Sequence, residues 1–268
     1  MAVEPVSATA LGGESSHAGV ILDAQAEARD IRFDPRARKA VVLRNRLLVG
    51  LSFSAGVIDM IAFLTLGKVF TAFQTGNLVF LGLGLVGKGP QGVALPNTAW
   101  VVASFLSFAV GAMVSARIVK PEQSKVTAWP QRVTVALVIT VVSQAAFLIG
   151  WIATFGHPTA AAGATLVAIM AFGMGVQIHA ARSLGVPDVS TTAATATWVT
   201  FVSDIATKTL RGKDRFLRLQ SMVAMILGAA AGTYLVDNAR LYVPALPLII
   251  TVIAIVIASV ALKPKPQR

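Results

Sequence analysis

Long uninterrupted apolar blocks decide what this chain can become. Six of them, at residues 47–66, 99–118, 133–152, 160–181, 219–236 and 243–262, are long enough to cross a bilayer, for which about 20 helical residues suffice. Inside hydrocarbon the backbone has to bond to itself, so such blocks become helices. The expected fold is an all-α integral membrane protein. Composition agrees: the 268 residues are 55% hydrophobic and 13% charged, with a mean hydropathy of +0.73. A soluble domain carries about 25% charged residues.

Two further stretches, 69–86 and 189–207, are apolar enough to enter a membrane and too polar to face lipid. The first holds Gln74, Thr75, Gly76 and Asn77; the second holds Thr191, Thr192, Thr195, Thr197 and Ser203. Loop charge decides between two topologies, because Lys and Arg collect on the cytoplasmic side. If both stretches cross, Arg117, Lys120, Lys125 and Arg132 fall outside. If both dip in and return, the inside holds that loop, the basic N-terminal run, the cluster Lys208, Arg211, Lys213, Arg215 and Arg218, and the terminal Lys263, Lys265 and Arg268. The outside then keeps Lys68, Lys88 and Arg240. The expectation is six transmembrane helices plus two re-entrant segments, with both termini cytoplasmic.

Residues 1–44 are expected to be a disordered cytoplasmic tail, with the basic run Arg36, Arg38, Lys39, Arg44 and Arg46 directly before the first apolar block. The membrane domain follows over 45–262, and 263–268 is a short basic end. No charged segment followed by an apolar one opens the chain, so a cleaved secretory signal is not expected. The basic loops predict contact with anionic lipid headgroups. The formal net charge of +11 does not predict nucleic-acid binding, because the cations sit between apolar blocks. The expected location is the cytoplasmic (inner) membrane of a bacterium, crossed several times.

The chain also repeats itself. Gly56-Val57 recurs as Gly175-Val176, Leu66-Gly67 as Leu184-Gly185, Thr75-Gly76-Asn77 as Thr195-Ala196-Thr197, and Gly111-Ala112 as Gly228-Ala229, at offsets of 119, 118, 120 and 117. Four matches in order, with so little drift, indicate two related halves, about 45–152 and 160–262. Three crossings separate the copies, so the second is inverted relative to the first. A 3+3 inverted repeat with broken segments near the midplane is a recurrent transporter plan.

Two runs carry a family resemblance. GVIDMIAFLTLGKVFTAFQTGNLVFLGLGL at 56–85 and GVQIHAARSLGVPDVSTTAATAT at 175–197 resemble the two signatures of the YoaK-like bacterial membrane proteins, a domain of unknown function. The resemblance covers about 45–262. Where that family usually shows Thr-Gly in the second signature, this chain has Thr195-Ala196. The resemblance implies a multi-span membrane protein and no particular substrate.

The candidate substrate path consists of Asp59, Gln74, Thr75, Gly76, Asn77, Gln177, Thr195 and Thr197. Thr75-Gly76-Asn77 and Thr195-Ala196-Thr197 are expected to face each other, with Thr or Asn capping the half-helix that follows. The N-terminal amides of such half-helices favour an anion or a polar neutral solute. Asp59, deep in a predicted span, either carries a coupling proton or caps the backbone N–H groups of a re-entrant loop. Gln144 and Gln177 are expected to hydrogen-bond between helices, and His179 to sit near an interface.

Cys is absent, and His17, His157 and His179 are scattered. Neither thiol chemistry nor a metal site is expected, and no cofactor. Phosphate-binding, zinc-protease and nucleophile-elbow motifs are missing as well, so the chain is not expected to be an enzyme. Three classes remain: a secondary transporter of a small polar or anionic solute, a passive channel, or a non-transporting membrane scaffold. Gly228 to Gly232 forms a GxxxG spacing, compatible with packing inside one subunit or with a homo-oligomer.

Overall fold

The computed structural model describes residues 35–87, 95–119, 129–185, 198–199, 201–203, 206 and 212–262, with side chains from Phe216 onward in the last stretch. Its helices are α1 (Pro35–Thr65), α2 (Gln74–Val86), α3 (Thr98–Ile118), α4 (Gln131–Ala153), α5 (Ala160–Arg182), α6 (Gly212–Asn238) and α7 (Ala245–Ala261). Five of them, all but α2 and α7, are long and apolar enough to cross a membrane. The protein is a multi-pass membrane protein. At 17 residues α7 is just shorter, whereas the 13 residues of α2 rise only about 20 Å, against about 30 Å of hydrocarbon.

Local chemistry sets the helix ends. Asn97 caps α3 by accepting from the Trp100 N–H, and Thr159 caps α5 by accepting from Ala162. Gly87 ends α2 at φ 65° and gives its N–H to the Leu83 carbonyl, a left-handed stop that suits glycine. Helix α1 opens on Pro35, whose fixed φ suits a first helical position. The basic run from Arg36 to Arg46, expected as part of a disordered tail, is helical. Its Ala, Arg, Lys and Leu residues are strong helix formers. The chain divides into two compact units, Met1–Leu43 and Arg44–Arg268. The first contributes only the opening turns of α1 to the described residues. Residues 1–34 and 263–268 lie outside them.

Helices α1 and α5 form the centre. In their most apolar windows 67% and 61% of residues are buried, against 22% in α3, 39% in α4 and 28% in α6. The outer helices expose large apolar side chains at helical spacing, such as Val102, Leu106, Val110 and Met113 on α3 and Ile249, Val252, Ile253, Val256 and Val260 on α7. These are the faces that hydrocarbon solvates.

Contacts fix the directions. Arg44 bonds the Leu184 carbonyl and Gln177 the Leu51 carbonyl, so α1 and α5 run antiparallel. The Asn97 N–H donates to Gly67 O at 3.0 Å, so α3 begins where α1 ends. Trp151 Nε1 bonds the Arg240 carbonyl, and Arg240 Nε bonds Gly156 O, both at 2.9 Å. The ends of α4 and α6 therefore meet.

Two helix crossings are built on glycine. At the α1–α6 crossing, a Cβ on Gly56 would lie 2.2 Å from Met225 O and 2.9 Å from Ala229 N; one on Gly228 would lie 2.1 Å from Phe53 O. At the α3–α5 crossing, a Cβ on Gly175 would lie 2.1 Å from Phe108 O and 2.9 Å from Ala112 N; one on Gly111 would lie 2.1 Å from Phe172 O. No side chain fits, so a glycine hydrogen points at each carbonyl, the arrangement of a Cα–H···O contact. Backbones approach this closely only through small residues. Each crossing joins parallel helices: Phe53 and Val57 meet Gly228 and Gly232, while Ser115 meets His179 four residues beyond Gly111 and Gly175.

Candidate functional site

Beyond Thr65 the chain reverses through Gly67 at φ 69° and Lys68 at φ 59° and runs back beside α1 as an extended segment. Its backbone N–H groups find no helix partner and meet a carboxylate instead. Asp59 Oδ1 accepts from Thr71 N at 2.9 Å, Ala72 N at 2.7 Å and Thr71 Oγ1 at 3.3 Å, while Oδ2 accepts from Phe73 N at 3.0 Å. Asp59 is 4% exposed. Buried this deeply, an ion needs such a set of donors to be tolerated.

The same segment is tied from the other side by Asn77. Its Oδ1 accepts from Phe70 N at 3.0 Å, and its Nδ2 donates to Phe70 O, Gln74 Oε1 and Ser104 Oγ at 2.6, 2.9 and 3.2 Å. Gln74 Nε2 donates to Thr71 O at 2.9 Å and to Ser104 Oγ at 3.3 Å, and the Ser104 hydroxyl donates to Phe70 O at 2.6 Å. Phe70 stacks between Phe63 and Phe80. A Cβ on Gly76 would strike the Phe70 and Phe73 rings at 2.8 Å, which explains the glycine in physical terms.

From Gln74, α2 runs antiparallel to α3, with Asn77 beside Ser104 and Gly84 against Thr98. The segment from Gly67 to Gly84 thus starts and finishes level with the start of α3, and its deepest point is level with Asp59.

Of the sequence candidates, Gln74 and Asn77 lie on this segment and Asp59 meets it from α1. Gly76 packs against the aromatic rings, and Thr75 is exposed. Asn77 does not cap α2 as expected. The N-cap is Phe73, without a side-chain bond; because α2 starts at Gln74, Asn77 stands inside its first turns and bonds Phe70, Gln74 and Ser104. Asp59 lies just ahead of the start of α2, on the amides of Thr71, Ala72 and Phe73. Thr195 and Thr197 lie outside the described residues. Sequence reading missed Thr71 and Ser104; a lone serine in an apolar span gives no sign that a loop from another helix will need its hydroxyl.

Gln177 stands elsewhere, fully buried between α5 and α1, its Nε2 3.4 Å from Leu51 O. Its Oε1 has no hydrogen-bond partner among the described residues, nor has Ser54 Oγ or either amide atom of Gln144. The interhelical bond expected of Gln144 is therefore not made within that set.

The chain belongs to the family described as "Protein of unknown function (DUF1275)", which matches residues 47–258. It is similar to the UPF0700 transmembrane protein YoaK of Bacillus subtilis (strain 168), at 34% identity over 182 residues, 67% of this chain and 76% of that protein. No solved structure matches. The resemblance carried by residues 56–85 and 175–197 therefore holds.

Proposed function

We propose that this chain is a secondary transporter of a small polar solute in the bacterial cytoplasmic membrane. It is read as six crossing helices in two inverted halves, with both termini inside. The observation that carries this reading is the correspondence of the two glycine crossings. Adding 119 to Phe53 and Gly56 gives Phe172 and Gly175; subtracting 117 from Met225, Gly228 and Ala229 gives Phe108, Gly111 and Ala112. Each close approach at the α1–α6 crossing thus has a counterpart at the α3–α5 crossing, with distances agreeing to 0.1 Å. An approximate two-fold axis relating antiparallel α1 and α5 produces that match. Alternating access in such proteins works by exchanging the conformations of the two halves.

The path from Gly67 to Gly84 supports a re-entrant reading of 69–86, and the repeat supports a counterpart containing Thr195 and Thr197. A non-transporting scaffold is the second reading, favoured by the saturation of Asp59, whose oxygens are already met by four donors.

Two experiments test the proposal. Cysteines replacing Gln123 and Gly212 are expected to resist membrane-impermeant thiol reagents in intact cells, while Leu95→Cys and His157→Cys are labelled. External labelling of Gln123→Cys overturns the six-span arrangement. Proteoliposomes holding the full chain are expected to take up at least one small polar solute, across a screen of metabolites and inorganic ions run with and without a pH gradient. Uptake no faster than in protein-free liposomes across the screen leaves the scaffold.

A further inference from the structure

Resting on the transport reading, we propose that Ser54, Gln144 and Gln177 bind a small neutral solute that both donates and accepts hydrogen bonds, of the amide, urea or alcohol class. Ser54, Gln144 and Gln177 are each fully buried, and each holds polar atoms without a partner among the described residues. Buried polar groups in proteins are almost always satisfied, so a set left open asks for a ligand. The demand is stronger in a membrane, where no bulk water reaches them.

The three stand at neighbouring depths. A Cβ on Gly173 of α5 would lie 2.7 Å from Ser143 Cβ, and Thr140 Oγ1 donates to Gly173 O at 3.2 Å; Gln144 is therefore level with Gly173. Gln177 follows Gly173 by one turn and reaches across to Leu51 O. Ser54 follows Leu51 by three residues on the same face of α1. Because α1 and α5 are antiparallel, that step returns toward the level of Gly173. Ser54, Gln144 and Gln177 thus lie within about two helical turns of depth, around the most buried helices of the protein.

Their chemistry selects the ligand. The open atoms are a hydroxyl oxygen, two amide oxygens and an amide nitrogen, all neutral, offering acceptors and donors together. An anion would face the amide oxygens, with the Asp59 carboxylate about a turn and a half beyond Ser54. A bare cation would leave the Gln144 amide N–H groups unanswered. A neutral amide or polyol satisfies both kinds of group.

The test uses the full chain in proteoliposomes and follows light scattering after mixing with acetamide, urea, glycerol, sodium phosphate or potassium chloride. Acetamide or urea is expected to enter about tenfold faster than into protein-free liposomes. Gln144→Met, close in shape, is expected to return that rate to the protein-free value. It should also raise Tm by about 3 °C, because it removes an unsatisfied buried amide. Ser54→Ala is expected to slow entry without lowering Tm. Entry of phosphate or potassium without any neutral solute overturns this assignment and leaves the transport reading standing. Absence of all flux overturns this assignment, and the transport reading falls with it only when the wider screen is silent too. A Gln144→Met protein with unchanged amide flux and a lower Tm shows a structural amide and overturns the proposal.

Discussion

Gly175→Ala is expected to destabilise the protein by about 3 kcal/mol, the upper end of the usual range for overpacking. The added methyl would sit 2.1 Å from the Phe108 carbonyl oxygen and 2.9 Å from Ala112 N. Neither is a side chain that can rotate away. Helices α3 and α5 must separate, and with them the contact of Gly111 on Phe172. Gly82→Ala is the control with the opposite sign. Nothing lies within 4 Å of its Cβ position, and replacing a helical glycine by alanine gains about 0.5–1 kcal/mol. Gly56→Ala, Gly111→Ala and Gly228→Ala should each resemble Gly175→Ala. The double change at Gly111 and Gly175 should cost less than the sum, since one separation relieves both clashes. The change at Gly56 with Gly175 should be additive, because the crossings are distinct. Thermal unfolding of the purified protein in detergent or nanodiscs measures all of these. Equal Tm values for Gly175→Ala and Gly82→Ala would refute the crossing.

The glycines also show what the sequence could and could not reveal. Apolar blocks placed the helices well: 99–118 became Thr98–Ile118, 133–152 became Gln131–Ala153, and 160–181 became Ala160–Arg182. Hydrocarbon leaves a run of twenty apolar residues little choice but helix. The offsets relating Gly56 to Gly175 and Gly111 to Gly228 were likewise readable. Which helix each glycine touches was not, because partner choice depends on how distant segments pack. Polar ends were the weakest part. The basic run before residue 47 reads as a tail, yet it is helix from Pro35, since charge patterning says where cations lie and nothing of backbone shape. At α2 a cap was expected from Asn77. The side chain went to Phe70 instead, because an extended segment with unsatisfied amides competes for the same oxygen. For Asp59 the sequence leaves two readings, proton carrier or backbone acceptor, because its three N–H partners lie 12 to 14 residues away.

Those partners decide what removing the carboxylate should do. Asp59→Ala is expected to destabilise the protein by about 4 kcal/mol or more, because each buried amide stripped of its acceptor costs about 1–3 kcal/mol. In the membrane, water does not replace the lost bonds. Thr71, Ala72 and Phe73 would be stripped together, and the segment that Asn77 and Ser104 hold from the other side would lose half its anchorage. Asp59→Asn should fall between Ala and the native residue. Its one remaining oxygen can still accept from Thr71 and Ala72, while its NH₂ group turns a donor toward the Phe73 N–H. The order native, Asn, Ala in Tm is the signature of a backbone acceptor. A proton carrier predicts another pattern: Asp59→Asn as stable as native, with gradient-driven uptake abolished and exchange retained. Asp59→Asn is therefore expected to lower Tm, and whatever folded protein remains should take up its solute with unchanged response to a pH gradient. A native Tm together with lost gradient coupling would return Asp59 to the transport step. Its four donors would then be expected to loosen during the cycle, because three backbone amides and a hydroxyl bond the charged carboxylate more strongly than the neutral acid.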